Sequence, residues 1–323
     1  MRSHLIKTLL AAAFTLTAAT TAAQTAFPTG PVKLVVPYVP GGLPDTVARI
    51  LSQRLQTSLG QPVVVENKPG ASGAIAASAI AQAPADGHTL LLTDGQLLAI
   101  TPLLSAKPTY DATKDFTPVS LVGTAPLFLA VNPNVKATNL DELISLAKSK
   151  PGALNYGSAG IGSPHHLTAE AMKEGLGIFI THIPFRGSGA SMPAMVGGQV
   201  DMVFASPPAL MGFVKSGQAR LIAINAGKRS ALAPDVPALA EKIPGFDFAF
   251  TVVVLAKTGT PASTVTRISQ AIAAAVKQPD VVELLRTAGV DPMGGGPDDL
   301  TKAMKAESIR VAAAAKRANL KAE

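Results

Sequence analysis

The stretch VKLVVPYVPGGLPDTVARIL, residues 32–51, contains the three elements from which the predicted fold is built. Its first five residues form an apolar run that Pro37 ends, which is typical of a short strand buried in a parallel sheet. The loop from Tyr38 to Pro44 follows, and Asp45 is placed to cap a helix. Beyond it, apolar residues recur at steps of three and four, as an amphipathic helix requires: Val47, Ile50, Leu51, Leu55 and Leu59. The stretch therefore predicts a strand, a glycine-containing loop and a helix.

Strand, loop and helix alternate along most of the remaining chain. Further apolar runs at 63–65 and 90–93 flank an alanine-rich helical segment at 74–83, which completes two βαβ units. A second series starts after Pro133, with a helix at 140–147 and strands predicted at 154–156, 180–184, 201–204 and 221–224. Helices predicted at 261–276 and 297–319 complete the chain. This alternation predicts an α/β fold with its functional loops at the carboxyl ends of the strands.

Two extended stretches, 119–132 and 246–255, are where we expect the chain to cross between two lobes. A chain of about 300 residues usually forms two such units. Lobe one would contain residues 27–124 plus 252–323, and lobe two residues 125–251. Two crossings make a hinge, about which the lobes could close on a ligand held in the cleft between them.

The first 23 residues have the composition of a cleavable signal peptide. Arg2 and Lys7 precede an apolar stretch at 9–19, and the small residues Ala22 and Ala23 follow. About 11 apolar residues are too few for a membrane-spanning helix, which needs roughly 20. We therefore predict a signal peptide at residues 1–23 and a mature protein in the periplasm. The chain has no cysteine, which excludes disulfides, thiol catalysis and lipid attachment through a cysteine.

Charge and aromatic content favour a small acidic ligand over nucleic acid. The formal net charge is +7 at pH 7 and falls to +5 without Arg2 and Lys7. Aromatic residues make up 4% of the chain and tryptophan is absent, so few side chains are available to stack on the bases of a single strand. A mild positive charge suits an anionic ligand or partner.

Three glycine-rich loops, each between a predicted strand and a predicted helix, form the candidate binding site. Glycine lets backbone N–H groups approach a ligand closely, and a helix start adds positive dipole, so an anion is favoured there. Loop 1 is residues 38–45, loop 2 is residues 66–73 and loop 3 is residues 157–166. A plain strand-to-helix turn is the alternative for loop 1, and a flexible surface loop is the alternative for loop 3. Loops 1 and 2 fall in lobe one and loop 3 in lobe two, so a shared ligand would lie in the cleft.

Ionisable side chains near these loops leave several interpretations open. Arg186 follows a predicted strand and could pair with a ligand carboxylate or with Asp201. His165 and His166 are adjacent and point to different faces of a helix, which favours packing or hydrogen bonding over metal binding.

The sequence lacks the motifs of several enzyme classes. No serine has glycine both two residues before and two residues after it, and no Gly-Lys-Ser/Thr phosphate loop occurs. We predict a binding protein that is not an enzyme and uses no cofactor or metal. A secreted hydrolase acting through Ser158 or Ser163 stays an alternative.

Six stretches together resemble one known family. In chain order they are VKLVVPYVPGGLPDTVARIL, GQPVVVENKPGASGAIAA, ADGHTLLL, LNYGSAGIGSPHHLTAE, IPFRGSGASMPAMVGGQVDMVF and LAPDVPALAE. They are similar to the substrate-binding proteins of tripartite tricarboxylate transporters, also called Bug receptors. The resemblance implies a periplasmic binding protein of type II, with two α/β lobes joined by a two-crossing hinge and a ligand cleft between them. It also implies a mono-, di- or tricarboxylate ligand and delivery to a transporter driven by ion gradients.

The same resemblance implies which residues hold the ligand carboxylate, largely through backbone amides and small hydroxyls. In lobe one these are Tyr38, Pro40, Gly41, Gly42 and Asp45 of loop 1, with Ser72 and Gly73 of loop 2. In lobe two they are Ser158, Ala159, Gly160, Gly162 and Ser163 of loop 3, with Arg186, Gly187 and Asp201.

The chain departs from the family pattern at three positions. Leu43 and Pro44 stand where Gly-Thr is common, and Ala205 stands where a polar residue is frequent. Loss of an acid at that last position argues against an amino-acid ligand, whose ammonium needs a counter-charge.

We therefore expect a monomeric periplasmic receptor that captures a small di-, tri- or aromatic carboxylate. It would deliver this ligand to the membrane subunits of a tripartite tricarboxylate-type transporter. An extracytoplasmic sensor that feeds a two-component system is the alternative, because the same closed clamp would serve both.

Overall fold

The computed structural model describes residues 27–70, 73–104, 109–185 and 187–320. The predicted signal peptide, Ser72 and Arg186 lie outside these residues, so the expectations attached to them stay predictions. Within the described ranges, no helix combines the length and the apolar character needed to cross a membrane.

The described residues form eleven strands and ten helices. The strands are β1 (Val32–Val36), β2 (Val63–Asn67), β3 (Thr89–Asp94), β4 (Phe116–Ala125), β5 (Phe128–Val131), β6 (Asn155–Ser158), β7 (Thr181–Pro184), β8 (Met202–Ala205), β9 (Arg220–Ile224), β10 (Phe250–Lys257) and β11 (Asp291–Gly295). The helices are α1 (Leu43–Leu59), α2 (Ala74–Ala81), α3 (Gly95–Leu104), α4 (Leu140–Ser149), α5 (Pro164–Leu176), α6 (Ser188–Val196), α7 (Pro207–Lys215), α8 (Ala262–Ala275), α9 (Pro279–Thr287) and α10 (Pro297–Arg317).

These strands form two separate mixed sheets. The first has the order β11-β4-β10-β3-β1-β2, with β1 parallel to its two neighbours and β10 antiparallel to β3 and β4. The second has the order β7-β6-β8-β5-β9, with β6 parallel to β7 and β8. The chain leaves the first sheet after β4 and returns to it with β10. The predicted α/β fold with two crossings between sheets is confirmed.

Each sheet is covered by apolar side chains on both faces. In β1, Leu34 and Val36 lie in one buried cluster and Val35 in another. In β5, Leu129 and Phe128 likewise lie in clusters on opposite faces. Burial of each such side chain contributes about 1.5–3 kcal/mol. Residues 32–36, which are apolar except for the exposed Lys33, therefore fit a strand that is buried on both sides along most of its length.

The helix after β1 starts three residues earlier than predicted. Asp45 does not cap it; the cap position belongs to Gly42, whose backbone is extended, and Pro44 lies in the first turn. The ring of proline fixes φ near the helical value, so a helix can start there without a side-chain cap. The carboxylate of Asp45 is consequently available for contacts with the loop behind it.

Five elements were not predicted from the sequence: α3, α6, α7, α9 and β11. The α3 segment is apolar nearly all round and contains a proline, so it shows no amphipathic pattern. The β11 segment reads DPMGG, and aspartate, proline and glycine are all disfavoured in strands. It forms at the edge of the first sheet by pairing with β4.

Candidate ligand-binding site

Loops 1 and 2 lie side by side because they follow two neighbouring parallel strands. Loop 1 follows β1, loop 2 follows β2, and these strands pair in register along their length. The Lys68 N–H donates to Val36 O at 2.8 Å, and the Asn67 side chain donates to Tyr38 O at 3.0 Å. The structure thus brings together the described parts of the two loops that were predicted for lobe one.

Asp45 organises loop 1 from inside. Its side chain is buried; one oxygen accepts from Gly41 N and from Arg49 Nε, both at 2.9 Å, and the other accepts from Asn67 Nδ2 at 2.9 Å. Burial by itself would raise the pKa of this carboxyl, but the hydrogen bonds from Arg49, Gly41 and Asn67 hold the pKa below its ordinary value of 3.8. Both oxygens are engaged, so Asp45 shapes the loop, and its charge is already balanced.

Tyr38 fixes the start of loop 1 to the end of β3. Its hydroxyl donates to Asp94, the last residue of that strand. Burial, and then the neighbouring charge of Asp94, raise the pKa of the Tyr38 hydroxyl well above 10, so it stays protonated and continues to donate. Pro40 and Gly41 are exposed beyond it, and Gly41 has φ +89°, a conformation that favours glycine.

The helix starts of loops 1 and 2 have no capping side chain among the described residues. Gly42 precedes α1 and Gly73 precedes α2, and neither position provides a side-chain acceptor for the first N–H groups of its helix. The 17-residue helix α1 therefore presents its positive end to loop 1. Such an end attracts a carboxylate.

Loop 3 is built around two serines whose hydroxyls bond within the loop. Ser158 Oγ accepts from Gly160 N at 3.1 Å, and Ser163 Oγ donates to Gly160 O at 2.7 Å. Ser163 also caps α5 by accepting from the N–H of His166. Gly160 and Gly162 have φ of +126° and +77°, which explains why glycine occupies both positions. The hydroxyls hold the loop in one shape, which leaves binding to the backbone.

The amides of loop 3 divide into two groups. Gly162 N donates to His166 Nδ1 at 3.1 Å, and Gly187 N donates to Ala159 O at 3.1 Å. Among the described residues, the N–H groups of Ala159 and Ile161 have no hydrogen-bond acceptor. These two donors, next to the start of α5, can accept an anion as their partner.

Asp201 does not lie with loop 3. It immediately precedes β8, accepts from Asn155 N at 2.8 Å, and its own N–H donates to Asn155 Oδ1 at 3.0 Å. Because β6 and β8 are parallel, this position is at the amino end of the sheet, whereas loop 3 leaves from the carboxyl end. Gly187, by contrast, adjoins Ala159 through the hydrogen bond already described.

Asn225 was missed in the sequence, although it connects both crossings. Fully buried after β9, its side chain accepts from Leu127 N at 2.7 Å and donates to Phe248 O at 2.9 Å. Leu127 lies between β4 and β5, and Phe248 lies just before β10. One side chain therefore holds the two connecting segments together. A lone asparagine after the apolar run LIAI was the available signal.

A second buried polar contact lies where β10 begins. Glu307 of α10 is 3% exposed, and its Oε2 accepts from Thr251 Oγ1 at 2.5 Å. Burial, together with the charge of Asp94, raises the pKa of Glu307 to about 8 against the opposing hydrogen bond from Thr251. Gly95 fits closely against this pair, because a Cβ there would overlap Thr251 Oγ1 and Glu307 Oε2. The signal in the sequence was an acidic residue on the same face of the predicted helix as the apolar residues Leu300, Val311 and Ala314.

The second half of α10 contacts α5, so this helix reaches from the first sheet to the helices of the second. Val311 and Ala314 of α10 share a buried cluster with Leu167 of α5. Arg317 pairs with Glu174 at the end of these helices. Within the described residues, no group of three or more His, Asp or Glu side chains could hold a metal ion.

Comparison with known proteins identifies what this chain resembles. Residues 47–320 match the model of the tripartite tricarboxylate transporter family receptor. Protein BugT of Bordetella pertussis is 37% identical over 286 residues, covering 88% of this chain and 87% of BugT.

Two solved structures extend the likeness to the fold. The structure described as R. palustris Rpa4515 with adipate has 34% identity and a TM-score of 0.80, covering 92% of this chain and 100% of that one. MatC from Rhodopseudomonas palustris with bound malate has 32% identity and a TM-score of 0.74, covering 89% and 99%. The predicted periplasmic-binding-protein fold is thereby confirmed.

Proposed function

Since this chain belongs to the tripartite tricarboxylate transporter receptor family, we propose that it captures a small carboxylate in the periplasm and delivers it to the membrane subunits of such a transporter. The family consists of solute-binding receptors. The signal peptide at residues 1–23 would take the chain to that compartment.

The ligand would lie between two lobes with the predicted bounds, residues 27–124 plus 252–323 and residues 125–251. The division into two sheets, with β4 and β10 in one and β5 and β9 in the other, supports these bounds. Asn225 contacts both segments that join the sheets, and Glu307 contacts Thr251 near the start of β10. These contacts support a hinge at the crossings.

The observation that carries the proposal is that two groups of backbone N–H donors able to bind an anion lie at loops of different sheets. Loop 1 presents the uncapped start of α1. Loop 3 presents the N–H groups of Ala159 and Ile161, which have no hydrogen-bond acceptor within the described part of the chain. The nearby carboxylate of Asp45 is already neutralised by Arg49 and hydrogen bonds, so it does not oppose an incoming anion. Amides desolvate at lower cost than charged side chains, which suits a cleft that closes.

The ligand class follows from the family and from the two complexes. Rpa4515 is described with adipate and MatC with malate, and both are dicarboxylates. We propose a small dicarboxylate as the first candidate, with tricarboxylates and aromatic carboxylates next. A carboxylate at each end would let one ligand contact both lobes.

Thermal unfolding of the purified mature protein with adipate, malate, citrate and benzoate tests the capture step. A ligand at 100 times its dissociation constant adds about 2.7 kcal/mol to the unfolding free energy, which should raise the melting temperature by several degrees. Isothermal titration calorimetry then measures the affinity of each compound that shifts it. If millimolar carboxylates of all four kinds leave the melting temperature unchanged, carboxylate capture is wrong.

Delivery needs a separate experiment. Proteoliposomes are prepared with the transporter membrane subunits whose genes neighbour that of this receptor. They should take up the labelled ligand only when the loaded receptor is added outside. Uptake that is independent of the receptor, together with ligand-dependent stimulation of a membrane kinase, would contradict transport and support sensing.

A further inference from the structure

Three aromatic rings form a stack behind loop 3. The rings of Tyr156 and His182 lie 4.8 Å apart with 17° between their planes, and those of His182 and His166 lie 4.1 Å apart with 11° between them. The three residues belong to β6, β7 and α5. The stack therefore joins the elements on both sides of loop 3.

His166 contacts the loop through its ring nitrogen. Its Nδ1 accepts from Gly162 N at 3.1 Å, so this nitrogen must be without a proton and the ring is neutral, with its hydrogen on Nε2. His166 is buried, and the bond reaches back four residues. The acceptor thus fixes the backbone at the end of the loop nearest α5.

His182 contacts the other end of the loop. Its Nε2 lies 2.7 Å from Ser158 Oγ, and Ser158 in turn accepts from Gly160 N and donates to Gly160 O, both at 3.1 Å. The contact between His182 and Ser158 is one hydrogen bond, in which the tautomer of the His182 ring decides whether Nε2 or the Ser158 hydroxyl donates. The two imidazoles together hold Ser158 and Gly162. The amides of Ala159 and Ile161, which no described residue accepts from, lie between these points.

We propose that His166 and His182 are positioning residues, which set the backbone of loop 3 in the shape that receives the ligand. The inference rests on the proposed carboxylate-binding function but assigns roles that the family match does not supply. Neither ring needs to touch the ligand. Removing the acceptor on His166 frees the Gly162 amide and loosens the loop between its two fixed points.

Burial keeps both histidine rings of the stack neutral. Burial lowers the pKa of His166 and lowers that of His182 to about 4. Among the residues that the structure describes, two charged groups face the stack, Glu170 and Lys173, which pair with each other at 2.7 Å. Tyr156 donates to Glu170 at 2.6 Å. In the unfolded chain, His182 has its ordinary pKa of 6.5, whereas in the fold its pKa is about 4. The stability of the fold is therefore full above pH 6.5 and falls as the pH drops toward 4. The loop of the folded protein should loosen only when these rings take up protons, which for His182 lies near pH 4.

Matched variants separate the hydrogen bond from simple packing. His166→Phe keeps a ring in the stack but removes Nδ1, whereas His166→Asn carries a carbonyl oxygen near the place of Nδ1. Calorimetry with adipate and malate should show about tenfold weaker binding for His166→Phe, the equivalent of about 1.4 kcal/mol. His166→Asn should bind within about threefold of wild type, and its binding should lack the weakening at acidic pH that protonation of the folded-state histidine causes.

Two measurements decide the proposal without relying on ligand affinity. Hydrogen exchange of residues 157–168 should be faster in His166→Phe and nearly unchanged in His166→Asn. In the wild-type protein, ¹⁵N NMR at pH 7.5 should find His166 protonated on Nε2 alone. Equal exchange in both variants, or a proton on His166 Nδ1, would overturn the role of the histidines. If wild-type protein binds neither dicarboxylate while these two results hold, the proposed ligand is wrong and the positioning of the loop stands.

Discussion

Replacing Glu307 by glutamine should stabilise the protein at neutral pH, because the buried carboxyl resists ionisation. Its ordinary pKa of 4.5 rises to about 8 in the fold. The stability that this group contributes is therefore full below pH 4.5 and is lost as the pH rises through 8. Glutamine does not ionise, and its side-chain oxygen can still accept from Thr251.

The structure sets the size of this effect. pH 7 lies about 2.5 pH units above the ordinary pKa, and each unit costs about 1.4 kcal/mol of unfolding free energy, so Glu307→Gln should gain about 3 kcal/mol there. At pH 4.5 and below, the two proteins should be nearly equal. For a chain of this size, each kcal/mol of unfolding free energy shifts the melting temperature by about 2 °C. The melting temperatures of the two proteins should therefore differ by roughly 6 °C at pH 7.

Thermal melting of both proteins at intervals from pH 4.5 to 8.5 is the assay. Glu283→Gln, an exposed position on α9, is the matched control for losing one charge. The difference in melting temperature between wild type and Glu307→Gln should depend on pH. If it is constant across this range, or if Glu283→Gln shows the same difference, the argument that Glu307 is neutral beside Thr251 is refuted.

Three further predictions concern loop 3, loop 1 and the crossings. Gly160→Ala should cost about 1–3 kcal/mol and weaken carboxylate binding, because alanine disfavours its φ of +126°; melting and calorimetry measure this against Gly189→Ala, a helical position with open space around it. Asp45→Asn should cost about 1–3 kcal/mol at pH 7 in urea unfolding, and the difference should shrink as the pH falls through 3.8, since the lowered pKa of Asp45 stabilises only the ionised form. Asn225→Ala should cost about 2–4 kcal/mol in the same assay, because Leu127 N and Phe248 O would be buried without partners.

Each of these has a contrary result. Normal affinity in Gly160→Ala would mean that loop 3 does not hold the ligand. If Asp45→Asn loses the same stability at pH 3 as at pH 7, the ionised carboxylate of Asp45 does not stabilise loop 1. Asn225→Ala with wild-type stability would show that water replaces the bonds at the crossings.

Elements with a clear local pattern were predicted well. The strand at residues 32–36 matches β1 to the residue, and the helix predicted at 261–276 is α8, Ala262–Ala275. A run of apolar residues, or their recurrence every three to four positions, is a local property that burial rewards wherever the element packs. β11 and α3 lack such patterns, and they form because β4 and the neighbouring helices give them partners.

The candidate site was predicted less completely. The glycines of loops 1 and 3 were identified, since left-handed backbone at Gly41, Gly160 and Gly162 needs that residue. The role of Asp45 changed from a helix cap to an internal support of loop 1. Asp201 lies at the opposite end of β8 from loop 3, although sequence alone left it open as a partner for Arg186.

The sequence by itself determined the alternation of strands and helices, the signal-like start and the glycine loops, because composition and periodicity act over a few neighbouring residues. Only the tertiary structure decided which polar groups meet. Glu307 and Thr251 are 56 positions apart, and Asn225 and Leu127 are 98 apart. Such pairs arise when strand order brings distant segments together and burial requires each polar atom to have a partner. The stack of His166 and His182 behind loop 3 has the same origin.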